Sequence, residues 1–453
     1  MMKKILTPVL LLLTIVSMNS CALYKEYERP DIAFVDSLYN RIPTADDYES
    51  IASLTWKELF ADTLLHNLIE LGLENNTDLE IARLKVEQAE ATLKTSKLAF
   101  YPNVSFSAQV GANQNGSNYS LAPTASWEVD AFGRLHNTKE GAKAALAATE
   151  AYQQAVQTQL IATIADAYYT LLMLDEQLDI SKRTLNTWEE NIRTLSALKR
   201  AGKTNEAAVL QAKANRLSVE ADVMTLERKI YEMENSFCSL IGVVPMPIYR
   251  TTLAEQVLPT ELSAGVPAEL LSRRPDVRQA ELALAQCFYN TNAARAAFYP
   301  NLSLNGALGW TTGSGSVVLD PGSLIASFIG SLTQPIFSRG TNKARLMAAR
   351  SQQEQAAYIF RQSILDAGVE VNNALVMWQT AKRRVEINRK QIVTLQAAVW
   401  NTQLLMKHGN TNYLEVLTAQ KNLLSAELAE VSDRFDEIQS VINLYHALGG
   451  GYE

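Results

Sequence analysis

Two hydrophobic periods alternate along this chain, and the alternation happens twice. Leu160, Ile164, Ala167, Leu171, Leu174 and Leu178 step by four and three residues, and Leu185, Trp188, Ile192 and Leu195 resume the series. Near the C-terminus Leu417, Leu424, Leu428, Val431, Phe435, Ile438, Ile442 and Tyr445 repeat it more strictly, with only Lys421 polar. A sustained repeat of about 3.5 residues is the sequence form of knobs-into-holes packing between helices. No proline falls between Pro123 and Pro245 or after Pro335. An interior proline costs a helix roughly 3 kcal/mol, so both runs are free to be very long helices. Each run is interrupted once, at Gly202 and at Gly409, where glycine can take the left-handed conformation that ends a helix. The spacing therefore predicts two antiparallel helical hairpins. The stretch from Arg134 to Gly202, read as one helix, is about 100 Å long, and no ordinary globular core needs that length.

A period of two occupies the intervals. Val104, Phe106, Ala108 and Val110 alternate with Ser105, Ser107, Gln109 and Gly111. Tyr119, Leu121, Ala125, Trp127 and Val129 alternate with Ser120, Thr124, Ser126, Glu128 and Asp130. Later, Leu302, Leu304, Leu308 and Trp310 alternate with Ser303, Asn305 and Gly309, and a fourth segment from Leu324 to Leu332 carries Ile325 and Ile329 on its polar side. Segments of about ten residues, apolar on one face and small or polar on the other, suit membrane-spanning barrel strands, although a soluble hairpin covered on one side gives the same pattern. Four strands cannot close a membrane barrel, because the smallest need about eight. An open edge in lipid leaves backbone groups unsatisfied. If these strands span a membrane, several chains must share one barrel.

The chain also repeats itself in words. Ala99-Phe100-Tyr101-Pro102-Asn103 returns as Ala297-Phe298-Tyr299-Pro300-Asn301, and Gly202-Lys203-Thr204-Asn205 returns as Gly409-Asn410-Thr411-Asn412. Ser239-Leu240-Ile241-Gly242 closes the first copy much as Ala447-Leu448-Gly449 closes the second. A period near 200 residues is too long for a solenoid and reads as a duplicated domain. The expected organisation is a signal peptide over 1–20, an extended N-terminal segment over 21–55, a first repeat over 56–245 with its hairpin tip near 202, a linker over 246–269, and a second repeat over 270–450 with its tip near 409.

Composition changes this picture little, but the N-terminus changes it more. With 47% hydrophobic and 20% charged residues the chain is ordinary for a folded protein, and a net charge of −7 without a basic cluster argues against nucleic acid. Lys3 and Lys4 precede the apolar run Ile5–Val16, and small and polar residues lead to Cys21. That is a secretory signal too short to be a membrane span. Cys21 stands where a lipoprotein signal places its acylated cysteine, with Met18 where leucine is usual; the other reading is a plain signal peptide and a chance cysteine. Cys238 and Cys287 fall on helical patterns and read as unpaired thiols rather than a disulfide framework.

Several motifs together resemble the TolC-like outer membrane factors, in particular the lipoprotein branch that serves resistance-nodulation-division (RND) efflux pumps. They are Leu270-Leu271-Ser272-Arg273-Arg274-Pro275-Asp276-Val277, Ala296-Ala297-Phe298-Tyr299-Pro300, Trp127-Glu128-Val129-Asp130 with Phe132-Gly133-Arg134, and Gln334-Pro335-Ile336-Phe337. The similarity runs from about Trp56 to Gly449, in the family's order. It implies a mixed fold, a membrane β-barrel plus a long α-helical coiled-coil tunnel, assembled as a homotrimer with a twelve-stranded barrel in the outer membrane. It also implies a periplasmic adaptor protein and an inner-membrane RND transporter as partners, with the outer membrane lipid around the barrel and no nucleic acid. The function implied is an exit duct for small toxic compounds or drugs, with a duct for type I protein secretion as the alternative. A coiled-coil surface protein is the rival from another class, and the four strand segments speak against it.

No catalytic constellation, metal-ligand spacing or cofactor motif stands out, so neither an enzyme nor a bound metal is expected. His66, His136, His408 and His446 read as ordinary surface or tunnel residues. The chemistry to look for is a gate. In the family the resemblance points to, the hairpin tips close the tunnel with rings of acidic side chains and polar links. Glu415 matches the outer acidic ring, while Thr418 stands at the inner acidic position and Thr411 where an arginine is common. Ala208 occupies the position of the acidic partner on the first tip. One acidic ring therefore remains, without the ionic latch, and Thr418, Leu414 and packing between the tips are left to complete closure. Glu415 also has a local reading, since Asn412 to Glu415 has capping-box spacing. Gly202, Lys203, Thr204, Gly409, Asn410 and Asn412 form the tips, where contact with an adaptor follows from location. Trp127 and Trp310 read either as lipid-interface anchors or as packing at the barrel base.

Overall fold

The structure is a computed structural model, and it describes residues 24–31, 51, 54–113, 116–257, 274–311, 323–407 and 413–451. Cys21, His408, Gly409, Asn410, Thr411 and Asn412 lie outside the described residues, as does the side chain of Trp310. In chain order the elements are α1 (Trp56–Leu59), α2 (Thr63–Asn75), α3 (Thr77–Leu98), β1 (Asn103–Asn113), β2 (Gly116–Val129), α4 (Arg134–Arg200), α5 (Glu206–Leu240), α6 (Pro275–Ala296), β3 (Asn301–Thr311), β4 (Ser323–Thr333), α7 (Thr341–Lys407) and α8 (Tyr413–Ala447).

The duplication is metric. α4 and α7 are both 67 residues long, and α5 and α8 are both 35. Gly133 and Gly340 hold positive φ just before α4 and α7, and Gly242 and Gly449 do so just after α5 and α8. At Gly242 the reason is visible: φ is +73°, and a Cβ would sit 2.5 Å from the Asn75 carbonyl oxygen. The N–H of Val243 donates to the Cys238 carbonyl at 2.9 Å and that of Gly242 to Ser239 at 3.3 Å, which is the glycine-closed helix end with its two orphan carbonyls satisfied.

The chain divides into two compact units, each drawing on both repeats. One takes its described residues from 24–31, 83–152 and 276–363 and carries all four strands. They form one antiparallel sheet in the order β1-β2-β3-β4, so the two repeats meet at the β2–β3 seam. The register puts like faces together. Val104 opposes Ala125, Ala125 opposes Gly306, and Gly306 opposes Phe328. One residue along, Ser105 opposes Thr124, Thr124 opposes Ala307, and Ala307 opposes Ser327. At the seam Gly309 admits the neighbouring backbone, since a Cβ there would lie 2.2 Å from the Leu121 carbonyl oxygen. The segment 24–31 belongs to this unit. Arg29 makes a two-pronged ion pair with Glu281 at 2.7 and 2.6 Å, and Tyr27 meets Phe288 edge-on at 5.8 Å.

The other unit takes its described residues from 51, 54–82, 153–257, 274–275, 364–407 and 413–451 and holds most of the hairpin helices. Its core is Phe60, Leu65, Ile69, Tyr168, Tyr169, Phe237 and Ile241 from the first repeat with Val441, Ile442 and Leu444 from the second. Buried polar groups pin the segments that cross it. Asp62 caps α2 by accepting from the Leu64 N–H at 2.9 Å, and its other oxygen accepts from Tyr168 (2.6 Å), Thr251 (2.5 Å) and Gln256 (3.2 Å). Arg250 grips Asp175 with two nitrogens, at 2.5 and 2.9 Å, and Glu234 at 2.6 Å. Asp433, 1% exposed, accepts from Arg384 at 2.7 Å and from Asn388 at 2.5 Å, which fixes α7 against α8. In the Arg273-Arg274-Pro275-Asp276 motif, Arg274 is buried and donates to the Ala447 carbonyl at 2.9 Å and to Glu370 at 2.6 Å, tying off the end of α8.

Candidate functional site

Two features of the chain could do something beyond folding, the sheet and the hairpin tips. The sheet is unusual for what it leaves bare. Val104, Phe106, Val110, Leu308, Phe328 and Leu332 share the apolar face and are each more than half exposed. The opposite face is lined by hydroxyls that pair across strands, Ser105 with Thr124 at 2.8 Å and Ser303 with Ser331 at 2.6 Å. β1 and β4 each have one edge without a strand partner among the described residues. An apolar face, a polar face and two open edges describe part of a closed barrel in lipid, not a free-standing sheet. Among the described residues no helix is long and apolar enough to cross a membrane.

The first tip is built from standard helix ends. Gly202 has φ +71° and is exposed; its N–H donates to Lys199 at 3.0 Å, and that of Lys203 to Leu198 at 2.9 Å. Asn205 then caps α5 by accepting from the Ala208 N–H at 3.0 Å. Lys199 pairs with Glu206 across the turn, a hydrogen bond that holds this exposed carboxyl below its ordinary range. Lys203 is exposed and Thr204 half-buried. Ala208 is fully buried in a cluster with Trp188, Leu195, Val209, Ala212 and Leu417, so a carboxylate there would lose its water.

That cluster orients the start of α8. With Leu417 turned into it, Val416, Ala419 and Gln420 are also buried, and Gln420 accepts from Asn191 of α4 at 2.7 Å. Helical geometry then puts Leu414, Glu415 and Thr418 together on the opposite side, and all three are exposed there with Lys421 and Asn422. Glu415 is the third residue of α8, in its acidic first turn. That is the position a capping box requires, while the Asn412 half of the box lies outside the described residues. Glu427, further along α8, has its carboxyl raised by burial, an effect Arg183 opposes.

The histidines are not uniformly peripheral. His136 is exposed as expected, but His66 is half-buried, its Nε2 2.6 Å from the Phe60 carbonyl and its ring edge-on to Trp56 at 5.4 Å. It ties α2 to the loop before it. Sequence reasoning also missed the networks around Asp62 and Arg250, because an aspartate before a helix and an arginine in a linker look alike whether buried or solvated. Cys238 and Cys287 are free thiols.

A chain with one third of a twelve-stranded barrel and two coiled-coil hairpins is a membrane channel subunit. The comparison with known proteins identifies which kind. The model of the outer membrane efflux protein family matches residues 68–243 and 266–450, and the chain belongs to that family. It is 29% identical to the cation efflux system protein CusC of Escherichia coli K12 over 447 residues, covering 96% of this chain and 97% of the relative. It is 28% identical to the toluene efflux pump outer membrane protein TtgC of Pseudomonas putida over 459 residues, covering 96% and 93%. The solved structure of the outer-membrane channel OprN superposes with a TM-score of 0.86 at 28% identity, covering 94% of this chain and 99% of that one. The protein is thus an outer membrane channel of an RND-type efflux system, a duct and not an enzyme, with its helical tunnel in the periplasm. Proteins of this family work as homotrimers with adaptor and inner-membrane transporter partners.

Proposed function

We propose that three copies of this chain close one twelve-stranded barrel and one helical tunnel, and that the resulting duct is gated at the hairpin tips and passes what its pump delivers. The observation that carries the reading is the sheet, whose four strands share one apolar face and, among the described residues, end in two open edges. The helices support it independently. Leu210, Leu217, Met224 and Tyr231 recur every seventh residue on α5, each more than half exposed. A bare heptad stripe on one chain is the seam for a helix of another. At the tips, the shared exposed face of Leu414, Glu415 and Thr418 is the surface three copies would bring toward a common axis, and Thr411, two residues before α8 in sequence, is the further gate residue we propose. Gly202, Lys203 and Thr204 at the first tip, with their sequence counterparts Gly409, Asn410 and Asn412 outside the described residues, are the contact for an adaptor of the tripartite pump. Cys21 is the site of lipid attachment. The cargo is set by the pump: relatives about equally similar to this chain are named for cations in one case and for toluene in the other.

The test is native mass spectrometry of the detergent-extracted protein together with planar-bilayer recording. A trimer mass and a single-channel conductance are expected. A stable monomer that conducts nothing overturns the proposal.

A further inference from the structure

The turns that join the sheet to its helices carry the opposite charge to the rest of the chain. In residues 94–102, 128–143, 296–301 and 334–345, eight Lys or Arg stand against three Asp or Glu, in a chain whose net charge is −7. Two of those acids are already engaged. Glu128 is held by Arg134 at 2.8 and 2.6 Å, and Asp130 accepts from the N–H groups of Leu135 and His136 at 3.0 and 2.7 Å, capping α4. The third, Glu140, pairs with Lys139 at 2.9 Å, and Lys143 follows one turn later. Lys97, Arg339, Lys343 and Arg345 are exposed and make no ion pair among the described residues.

Aromatic side chains are interleaved with these charges. The Lys139 ammonium lies over the Phe100 ring, 6.0 Å from its centroid, and the Phe100 carbonyl accepts from the Trp127 indole at 2.9 Å. Trp127 stands opposite Leu304, on the apolar face of the sheet. Lys139 is therefore placed beside the lipid-facing end of β2, and Lys97 stands one turn before Phe100. The second repeat has a matching device: the Phe298 carbonyl accepts from Gln334 at 3.0 Å, and Ile336 and Phe337 next to it are 95% and 85% exposed.

We infer that this collar binds the headgroups of anionic phospholipids, with Lys97 and Lys139 on the phosphate and Phe100 and Trp127 at the acyl boundary. Lysine stems lie along apolar surface while their ammonium groups reach the headgroup layer, and aromatic rings favour that same layer. Each lysine near an anionic surface strengthens binding about fivefold, so Lys97 contributes about fivefold per site and Lys139, already paired with Glu140, contributes less. The inference rests on the reading that the sheet is part of an outer membrane barrel, and its test separates the two.

The trimer is titrated with palmitoyl-oleoyl phosphatidylglycerol and, separately, with the phosphatidylethanolamine of the same chains, and bound lipid is counted by native mass spectrometry. Phosphatidylglycerol is expected to bind more tightly, and the Lys97→Gln/Lys139→Gln double variant to lose at least about fivefold of that preference while Lys97→Arg/Lys139→Arg retains it. Both variants should keep the wild-type trimer mass and conductance. Equal binding of the two lipids by the wild type overturns the inference, as does a preference that survives in the Gln variant. Displacement of the lipid by an equal concentration of inorganic phosphate would mark a bare anion site and overturns it too. Loss of trimer or conductance in the wild type would instead refute the barrel reading.

Discussion

Replacing Asp62 with alanine should loosen the join between α2 and the segment around Thr251. The side chain does two jobs. Its Oδ1 caps α2 through the Leu64 N–H at 2.9 Å, and removing such a cap costs about 1 kcal/mol. Its Oδ2 accepts from the buried Tyr168 hydroxyl at 2.6 Å; without it that hydroxyl keeps only the longer contact to Thr251 Oγ1 at 3.3 Å, which costs about 1 kcal/mol more. Thr251 and Gln256 are only half-buried and can turn to water, so they add little. The sum is about 2 kcal/mol, which corresponds to amide exchange about thirtyfold faster at the start of α2 and over 248–256. Hydrogen exchange read by mass spectrometry is the assay. Exchange within fivefold of wild type would refute the assignment.

The same carboxylate predicts a pH dependence. Burial works to raise its pKa, but hydrogen bonds from Thr251, Tyr168, Leu64 and Gln256 outweigh that and hold it below the ordinary 3.8. A group depressed in the folded state binds its proton more weakly there than in the unfolded chain. Its stabilisation is complete above about pH 4 and is lost as the pH falls through the lower folded value. Wild-type protection in this region should decline on acidification below pH 4, and Asp62→Asn should remove that dependence.

Three further outcomes are expected. Glu415→Gln should reduce cation selectivity and weaken block by divalent cations in planar bilayers while leaving thermal stability as it was, because three carboxylates near one axis repel one another and hold cations; unchanged selectivity would reject the acidic ring. Gly202→Ala should cost about 1 kcal/mol, since φ is +71° but a Cβ meets nothing within 4 Å, whereas Gly242→Ala should cost about 3 kcal/mol because the Asn75 backbone stands in its way; thermal melts that rank the two alike would contradict this. Cys21→Ser should abolish labelling by a radioactive fatty acid yet leave the barrel in the membrane, because the strands already provide attachment; label that persists would place the anchor elsewhere.

Much of this protein was written in its periodicities. Heptads marked helices that run, in the structure, from Arg134 to Arg200 and from Tyr413 to Ala447, and the proline-free stretch after Pro335 left room for the one from Thr341 to Lys407. Alternation marked four strands whose register aligns every serine-rich face, and the bare edges of four strands required other copies. These are local properties: a period of 3.5 or 2 decides which side of an element is apolar before any partner is known. Partnership between distant elements is not local. That Leu417 turns into the Trp188 cluster, and so sets Leu414, Glu415 and Thr418 on the far side of α8, depends on α4 lying beside it, two hundred residues away in sequence. Nor could the sequence tell that Ala208 is fully buried, that His66 bonds a carbonyl, or that Asp62 and Arg250 lock segments together. Burial is a property of what surrounds a side chain, and only the folded chain supplies the surroundings.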